Sequence, residues 1–186
     1  MMLAKKSDFD KKDYSGWYAS TKMDGFNCRF FNGDLLTRGG KTFNAPKSFL
    51  APLNKCGSTE LVGELIMPNA EFEANAALLR KKDQSAWEKV EFHIFAMPDD
   101  DEDVPFSTEY RRMKRLDIQP PYFILEQSEI KDNDEAREIA KRIIADGGEG
   151  IILRNPNAPY ERKRSSNLVK VKGSSTAEAI IIGYRP

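Results

Sequence analysis

An α+β fold built on antiparallel sheets is the architecture this sequence predicts, and three observations predict it. Strand-like runs outnumber helical ones. An Asn32-Gly33 pair between Phe26–Phe31 and Leu35–Arg38 signals an early two-residue hairpin of the I′ type. Helical periodicity occurs in only three stretches at irregular intervals, so repeated βαβ crossovers are not indicated. At 186 residues and 40% hydrophobic, the chain makes one sizeable domain that needs neither disulfide nor structural metal.

In chain order, Trp17–Met23 reads as a strand ending at Asp24-Gly25, followed by the hairpin and a third strand over Glu60–Met67. Asn69 is placed to cap a helix over 70–81. Val90–Met97 alternates as a strand, with Phe92 and Ile94 on one face and His93 and Phe95 on the other. Ser107 or Thr108 is expected to cap a short basic helix through Leu116, and Tyr122–Glu126 is strand-like. Asp132-x-x-Glu135 is a capping box for a helix with Ala136, Ile139, Ala140, Ile143 and Ile144 inward, closed by Gly147-Gly148. Strands over 150–154, 168–172 and 179–184 complete the set. The run 99–103, five acids between prolines, reads as a solvated loop.

Composition excludes several kinds of function. Lysine plus arginine (29) equals aspartate plus glutamate (29), which argues against a clamp holding nucleic acid by bulk charge. Two cysteines without ligand spacing read as reduced core thiols, and a single histidine, His93, gives little support to imidazole triads. No apolar run is long enough for a membrane span and no secretory h-region opens the chain, so a cytoplasmic protein with no membrane partner is expected.

Chemistry must then run on lysines, arginines and carboxylates. Lys22-Met23-Asp24-Gly25 places a lysine and an aspartate at a strand end. Leu168-Val169-Lys170-Val171-Lys172 puts both lysines on one face of a strand, as a solvent-facing strand also would. Glu149 stands at the mouth of an apolar strand, and Glu64 lies between apolar residues, where burial calls for a fixed partner. A lysine becomes a nucleophile when burial or neighbouring cations destabilise its ammonium. Lys170, Lys172 and Arg38 can do this while holding phosphate oxygens.

This ordered set resembles the nucleotidyltransferase motifs of ATP-dependent DNA ligases, most closely those of the minimal bacterial and viral type. Lys22-Met23-Asp24-Gly25 is similar to the nucleophile motif K-x-D-G, and Thr37-Arg38-Gly39-Gly40 to the next, arginine motif. Gly63-Glu64-Leu65 is similar to the ribose-contacting motif, and Phe92-His93-Ile94-Phe95 to the adenine-stacking strand. Glu149-Gly150-Ile151-Ile152 is similar to the metal-associated acid motif, and 168–173 to the paired-lysine motif. Alone, K-x-D-G is weak; six elements in order are specific.

The resemblance implies a nucleotidyltransferase fold (ATP-grasp-like, antiparallel sheets flanked by helices around a nucleotide cleft) filling residues 1–186, with ATP and Mg²⁺ as cofactors. It implies Lys22 as the nucleophile that takes AMP and passes it to the 5′-phosphate of nicked double-stranded DNA, in a monomer. Phe95 would stack on adenine, with a plain core aromatic as its rival reading. Ser20 and Thr21 join the nucleotide set, Glu64 holds the ribose, and Arg38, Lys170 and Lys172 hold phosphate. Glu149, with Asp24 and Glu64, organises the metal. Arg162, Lys163 and Arg164 lie in a stretch, residues 160–172, where five cations oppose only Glu161, and they are the expected DNA contacts.

Two departures from the family pattern stand out. Position 27 is Asn where K-x-D-G commonly continues to Arg, with Arg29 on the same face as the expected substitute. The sequence ends at Pro186, where the family would continue into an OB domain, so that domain is expected to be absent. An RNA ligase with the same lysyl-AMP chemistry is the alternative, a capping guanylyltransferase a more distant one. A non-catalytic nucleic-acid-binding relic is the rival from another class.

Overall fold

Period-two alternation builds two five-stranded sheets over the described residues, 1–68, 84–98 and 103–172, of a computed structural model. The strands are β1 (Leu3–Lys6), β2 (Tyr18–Thr21), β3 (Phe26–Phe31), β4 (Asp34–Thr37) and β5 (Glu60–Ile66). They continue with β6 (Glu91–Ala96), β7 (Tyr122–Ile124), β8 (Ser128–Glu129), β9 (Gly150–Arg154) and β10 (Arg164–Lys172). One sheet has the order β1-β10-β9-β2-β8, the other β4-β3-β5-β6-β7. Pairing is antiparallel except at one edge of each sheet, where β1 runs parallel to β10 and β7 to β6. The chain starts in the first sheet, leaves it after β2, builds the second, and returns for β8 to β10. Residues 22–25 are therefore a crossing between the sheets.

Each sheet has its own core. Cys28, Phe30, Leu65, Phe92 and Ile94 pack the second sheet against Phe49 and Leu53 of α1 (Lys47–Lys55) and Phe106 and Met113 of α2 (Phe106–Met113). Ala19, Ile151, Leu153, Val169 and Val171 pack the first sheet against Ala136 and Ala140 of α3 (Asn133–Ala145). The hairpin forms as expected, with Asn32 at φ 50° and Gly33 at φ 87°, both positive as a I′ turn requires.

Several expectations need correction. Pro105, not Ser107 or Thr108, stands at the N-cap of α2, which ends at Met113 instead of Leu116. Its first free amides are satisfied from outside the helix: Phe106 N–H donates to Ala158 O at 3.0 Å and Ser107 N–H to Pro156 O at 2.9 Å. The α3 box closes halfway. Asp132 accepts from Glu135 N at 2.8 Å, but the Glu135 carboxylate takes the N–H of Lys131 at 2.6 Å. α1 was not foreseen, because Pro52 inside it reads as a breaker. The helix expected over 70–81, the strand over 179–184 and acids 99–102 lie outside the described residues.

Candidate active site

Lys22 follows β2 at the crossing, and its backbone is tied to the mouth of β9 by donation to Gly150 O at 2.9 Å. Gly150 has φ 120°, and a Cβ there would collide with Val171 O of β10. The glycine thus lets β9 and β10 close together beside the lysine. Gly25 has a similar role on the other side, where any Cβ would overlap Leu65 O of β5.

A cavity of about 280 Å³ opens between the sheets at this crossing. Ser20 and Thr21 enter it from β2 with Lys22 just after it, Asn27 from β3, Arg38 from beyond β4, Glu64 from β5, Phe95 from β6 and Lys170 from β10. Six segments that are distant in sequence converge on a volume suited to a small ligand.

Phe95 owes its place to a register step. Gly63 pairs with Ile94 but Val62 pairs with Ala96, so Phe95 is the extra residue of a β-bulge. Bulges re-aim a side chain in this way. Phe92 and Ile94 are fully buried on the opposite face, as the alternation predicts.

Ion pairs organise the lysines. The Lys22 ammonium contacts a Glu149 carboxylate oxygen, and Lys172 reaches the other at 3.3 Å. Val169 and Val171 are in the core, so Lys170 and Lys172 share the opposite face; Lys170 lines the cavity and Lys172 holds Glu149. Burial lowers the Lys22 pKa from 10.5, Lys172 and Lys170 add to the fall, and Glu64 and Asp24 oppose it. Burial pushes Glu64 up to about 7, while the Gly25 N–H, donating to Glu64 Oε1 at 3.3 Å, and Lys22 pull the other way.

The expected residues do not all converge. Asp24 is exposed and outside the cavity wall, although its charge reaches Lys22 and Glu64. Glu149 and Lys172 stand outside the wall, coupled to it through Lys22. Arg162 makes a bidentate pair with Glu60, at 2.9 and 2.8 Å, and Glu60 is only 2% exposed. That commits its guanidinium to the fold. Lys163 is exposed and faces Glu161 at 3.3 Å. Arg164 lines the cavity and donates to Ala4 O at 2.8 Å. Arg29 does not substitute for an arginine at position 27: it lies 3.7 Å from Glu60, over the Phe31 ring, away from the cavity wall.

Other lining residues were not foreseen. Met2, Leu3 and Ala4 form a wall through β1, Leu125 and Gln127 come from the stretch between β7 and β8, and Phe106, Ile152 and Arg154 from α2 and β9. Arg154 is the one with a legible signal, an arginine closing an apolar strand. It is 4% exposed and pairs with Glu109 at 3.0 Å. For a metal, no cluster of three His, Cys, Asp or Glu side chains exists among the described residues. Glu64 and Glu149 remain as single carboxylates near the lysine.

Known proteins match this arrangement along most of the chain. The ATP dependent DNA ligase domain family matches residues 1–172. A DNA ligase of Haemophilus influenzae is 29% identical over 177 residues, which is 95% of this chain and 65% of the relative; the chain thus spans just under two thirds of that protein. A DNA ligase of bacteriophage T4 is 38% identical over 63 residues, covering 34% of this chain and 13% of its own. Among solved structures, a Lig E DNA ligase superposes with a TM-score of 0.80 at 26% identity, over 93% of this chain and 68% of that one. The Chlorella virus DNA ligase-adenylate has the same fold, with a TM-score of 0.77 at 19% identity, over 92% of this chain and 67% of its own. The match runs from β1 through Lys172 and takes in every wall of the cavity, so the chain belongs to the ATP-dependent DNA ligase domain family.

Proposed function

We propose that this chain is the adenylation domain of an ATP-dependent DNA ligase, working as a monomer, in which Lys22 takes AMP from ATP and delivers it to a nick. The supporting observation is the placement of Lys22 in one cavity wall with Ser20, Arg38, Glu64, Phe95 and Lys170. The cavity supplies an aromatic face for a base, a carboxylate for a sugar and cations for phosphate, next to a half-buried amine.

In the resting arrangement Glu149 is shared between Lys22 and Lys172. With its pKa lowered by burial and by the like charge of Lys172 and Lys170, the Lys22 ammonium passes a proton to the Glu149 carboxylate it contacts, which Lys172 also holds, and becomes a free amine. The Lys22 Nζ lone pair attacks the α-phosphorus, a P–N bond forms, and the P–O bond to pyrophosphate breaks. Lys170 and Arg38 hold the phosphate oxygens as charge shifts to the leaving group. The 5′-phosphate of the nick next displaces Lys22 from the adenylate, and the 3′-hydroxyl then displaces AMP to seal the strand. Arg164 and Lys163 are placed to hold DNA phosphates at the rim.

Mg²⁺ fits this donor set, since it commonly takes one or two carboxylates together with substrate phosphates. Glu149 and Glu64 would hold it, and its charge would neutralise the triphosphate oxygens.

Intact-mass spectrometry of the protein with ATP and Mg²⁺ tests the reading. One AMP is expected on the wild type and none on Lys22→Ala. An unmodified wild type, or an adduct that survives Lys22→Ala, overturns it.

A further inference from the structure

β1, whose Leu3 and Ala4 line the cavity, ends at an exposed lysine, Lys6. It pairs parallel to β10 with Lys6 opposite Lys170, and the Ser7 N–H donates to Lys170 O at 3.1 Å. The neighbouring pair, Lys5 opposite Val169, fixes the faces. Val169 is buried in the first-sheet core, and Lys5 is on that side, where burial and then the charge of Lys5 lower the pKa of Lys12 over the Trp17 ring. Lys6 therefore shares the opposite face with Lys170, which lines the cavity. Like charges directly opposite each other on a sheet are destabilising. Among the described residues no carboxylate pairs with either ammonium, and Glu149 is taken by Lys22 and Lys172. An anion from outside the chain is what relieves the pair.

The sheet sets these cations at graded distances from the nucleophile. In the order β1-β10-β9-β2, Lys6 is three strands from the end of β2 that carries Lys22, roughly 14 Å at about 4.8 Å per strand. Lys170 stands between them, one strand from Lys6 and two from β2. In phosphoryl transfer the attacking and leaving atoms lie in line on opposite sides of phosphorus. With Lys22 Nζ on one side and Lys170 at the α-phosphate, the leaving oxygens extend toward β1. Base and ribose bring no charge to that edge, and AMP by itself ends at Lys170.

We propose that Lys6 binds the leaving pyrophosphate while Lys170, opposite it, holds the α-phosphate. The proposal rests on the adenylylation reading. As Lys22 Nζ bonds to the α-phosphorus, the bond to the bridging oxygen breaks and its electron pair stays on pyrophosphate, whose charge the Lys6 ammonium offsets. In reversal a pyrophosphate oxygen attacks the same phosphorus, the P–N bond breaks, and Glu149 returns the proton to the Lys22 amine. Removing the Lys6 ammonium costs roughly ten-fold in pyrophosphate affinity, the size of one charge-assisted hydrogen bond.

The test uses the full chain with Mg²⁺ and compares wild type with Lys6→Gln, Lys6→Arg and Lys5→Gln, the last removing a cation from the other face of β1. Adenylylated protein is titrated with pyrophosphate and loss of the AMP adduct is followed by intact mass. Melting-temperature shifts are measured with AMP, ATP and pyrophosphate. Lys6→Gln should raise the half-saturating pyrophosphate concentration about ten-fold and shrink the ATP and pyrophosphate shifts, leaving the AMP shift as in wild type. Lys6→Arg should restore wild-type behaviour, and Lys5→Gln should keep it. Unchanged half-saturation in Lys6→Gln overturns the proposal, as does an AMP shift that falls with the ATP shift or an equal loss in Lys5→Gln. Weaker binding of nicked DNA by Lys6→Gln, with reversal unchanged, assigns the lysine to DNA and overturns it too. A wild type that takes no AMP overturns the adenylylation reading alone; the ATP and pyrophosphate shifts, set against that of AMP, then decide the role of Lys6.

Discussion

Glu64 carries a conflict between stability and binding. Burial raises it from 4.5 to about 7, so the folded chain holds its proton more tightly than the unfolded chain does. The Glu64 contribution to stability is therefore fully present below about pH 4.5 and is lost as pH rises to about 7. The loss amounts to at most about 3 kcal/mol for a gap of that size. Glu64→Gln, whose amide oxygen can still accept from Gly25, should therefore exceed wild type in stability at pH 8 and match it at pH 4.5. Urea unfolding at the two pH values checks this; an equal difference at both would rule out titration of Glu64 as the cause. Lys22 moves in the opposite direction on its own scale, because a lowered ammonium pKa puts more free amine in the cavity at neutral pH. The residue types that do this were legible from Lys22, Glu64 and Lys170 in their motifs. That Asn27 Oδ1 is buried without a hydrogen-bond partner among the described residues was not, since hydrogen-bond satisfaction depends on what the fold brings near.

Elements place these side chains through a few close approaches. β9 and β10 come together at Gly150, where a side chain would meet Val171 O and would also require φ 120°. Gly150→Ala should cost about 1–3 kcal/mol in stability, measured by chemical denaturation, and weaken nucleotide binding as Lys22 loses its anchor on Gly150 O. Loss of stability with unchanged nucleotide affinity would separate the glycine from the site. Strands were legible where alternation is strong, as in β3, β6 and β10. β10 starts earlier than its Val-Lys alternation indicates, because residues from Arg164 onward pair with β1, a strand without a signal of its own. The bulge at Phe95 was equally hidden, because register belongs to a pair of strands and not to either sequence.

At the scale of the whole molecule, a buried ion pair at the cavity wall joins the two sheets. Arg154, ending β9 in the first sheet, donates to Glu109 of α2 at 3.0 Å and to Phe95 O of β6 at 3.4 Å. Glu109 takes the N–H of Met97, just after β6, at 2.7 Å, and the Arg154 guanidinium lies 3.7 Å from the centroid of the Phe106 ring. Removing one partner strands a charge, so Glu109→Ala should cost about 3–5 kcal/mol by denaturant unfolding, and Glu109→Gln clearly less. A loss below 1 kcal/mol in the alanine variant would mean that water replaces the carboxylate.

The sequence by itself marked Lys22 at a strand end, Lys170 and Lys172 on one strand face, the acid at the mouth of β9 and most of the strands. Those features are written in residue type and in periodicities of two to four positions, which local physics enforces. Only the tertiary structure decided that Arg162 is committed to Glu60, 102 positions away, that Arg29 turns from the cavity, and that β1 walls it. Each of these depends on burial and on partners distant in the chain. A charge beside a buried opposite charge is held by the low dielectric around it, and no neighbouring residue in the sequence announces that partner.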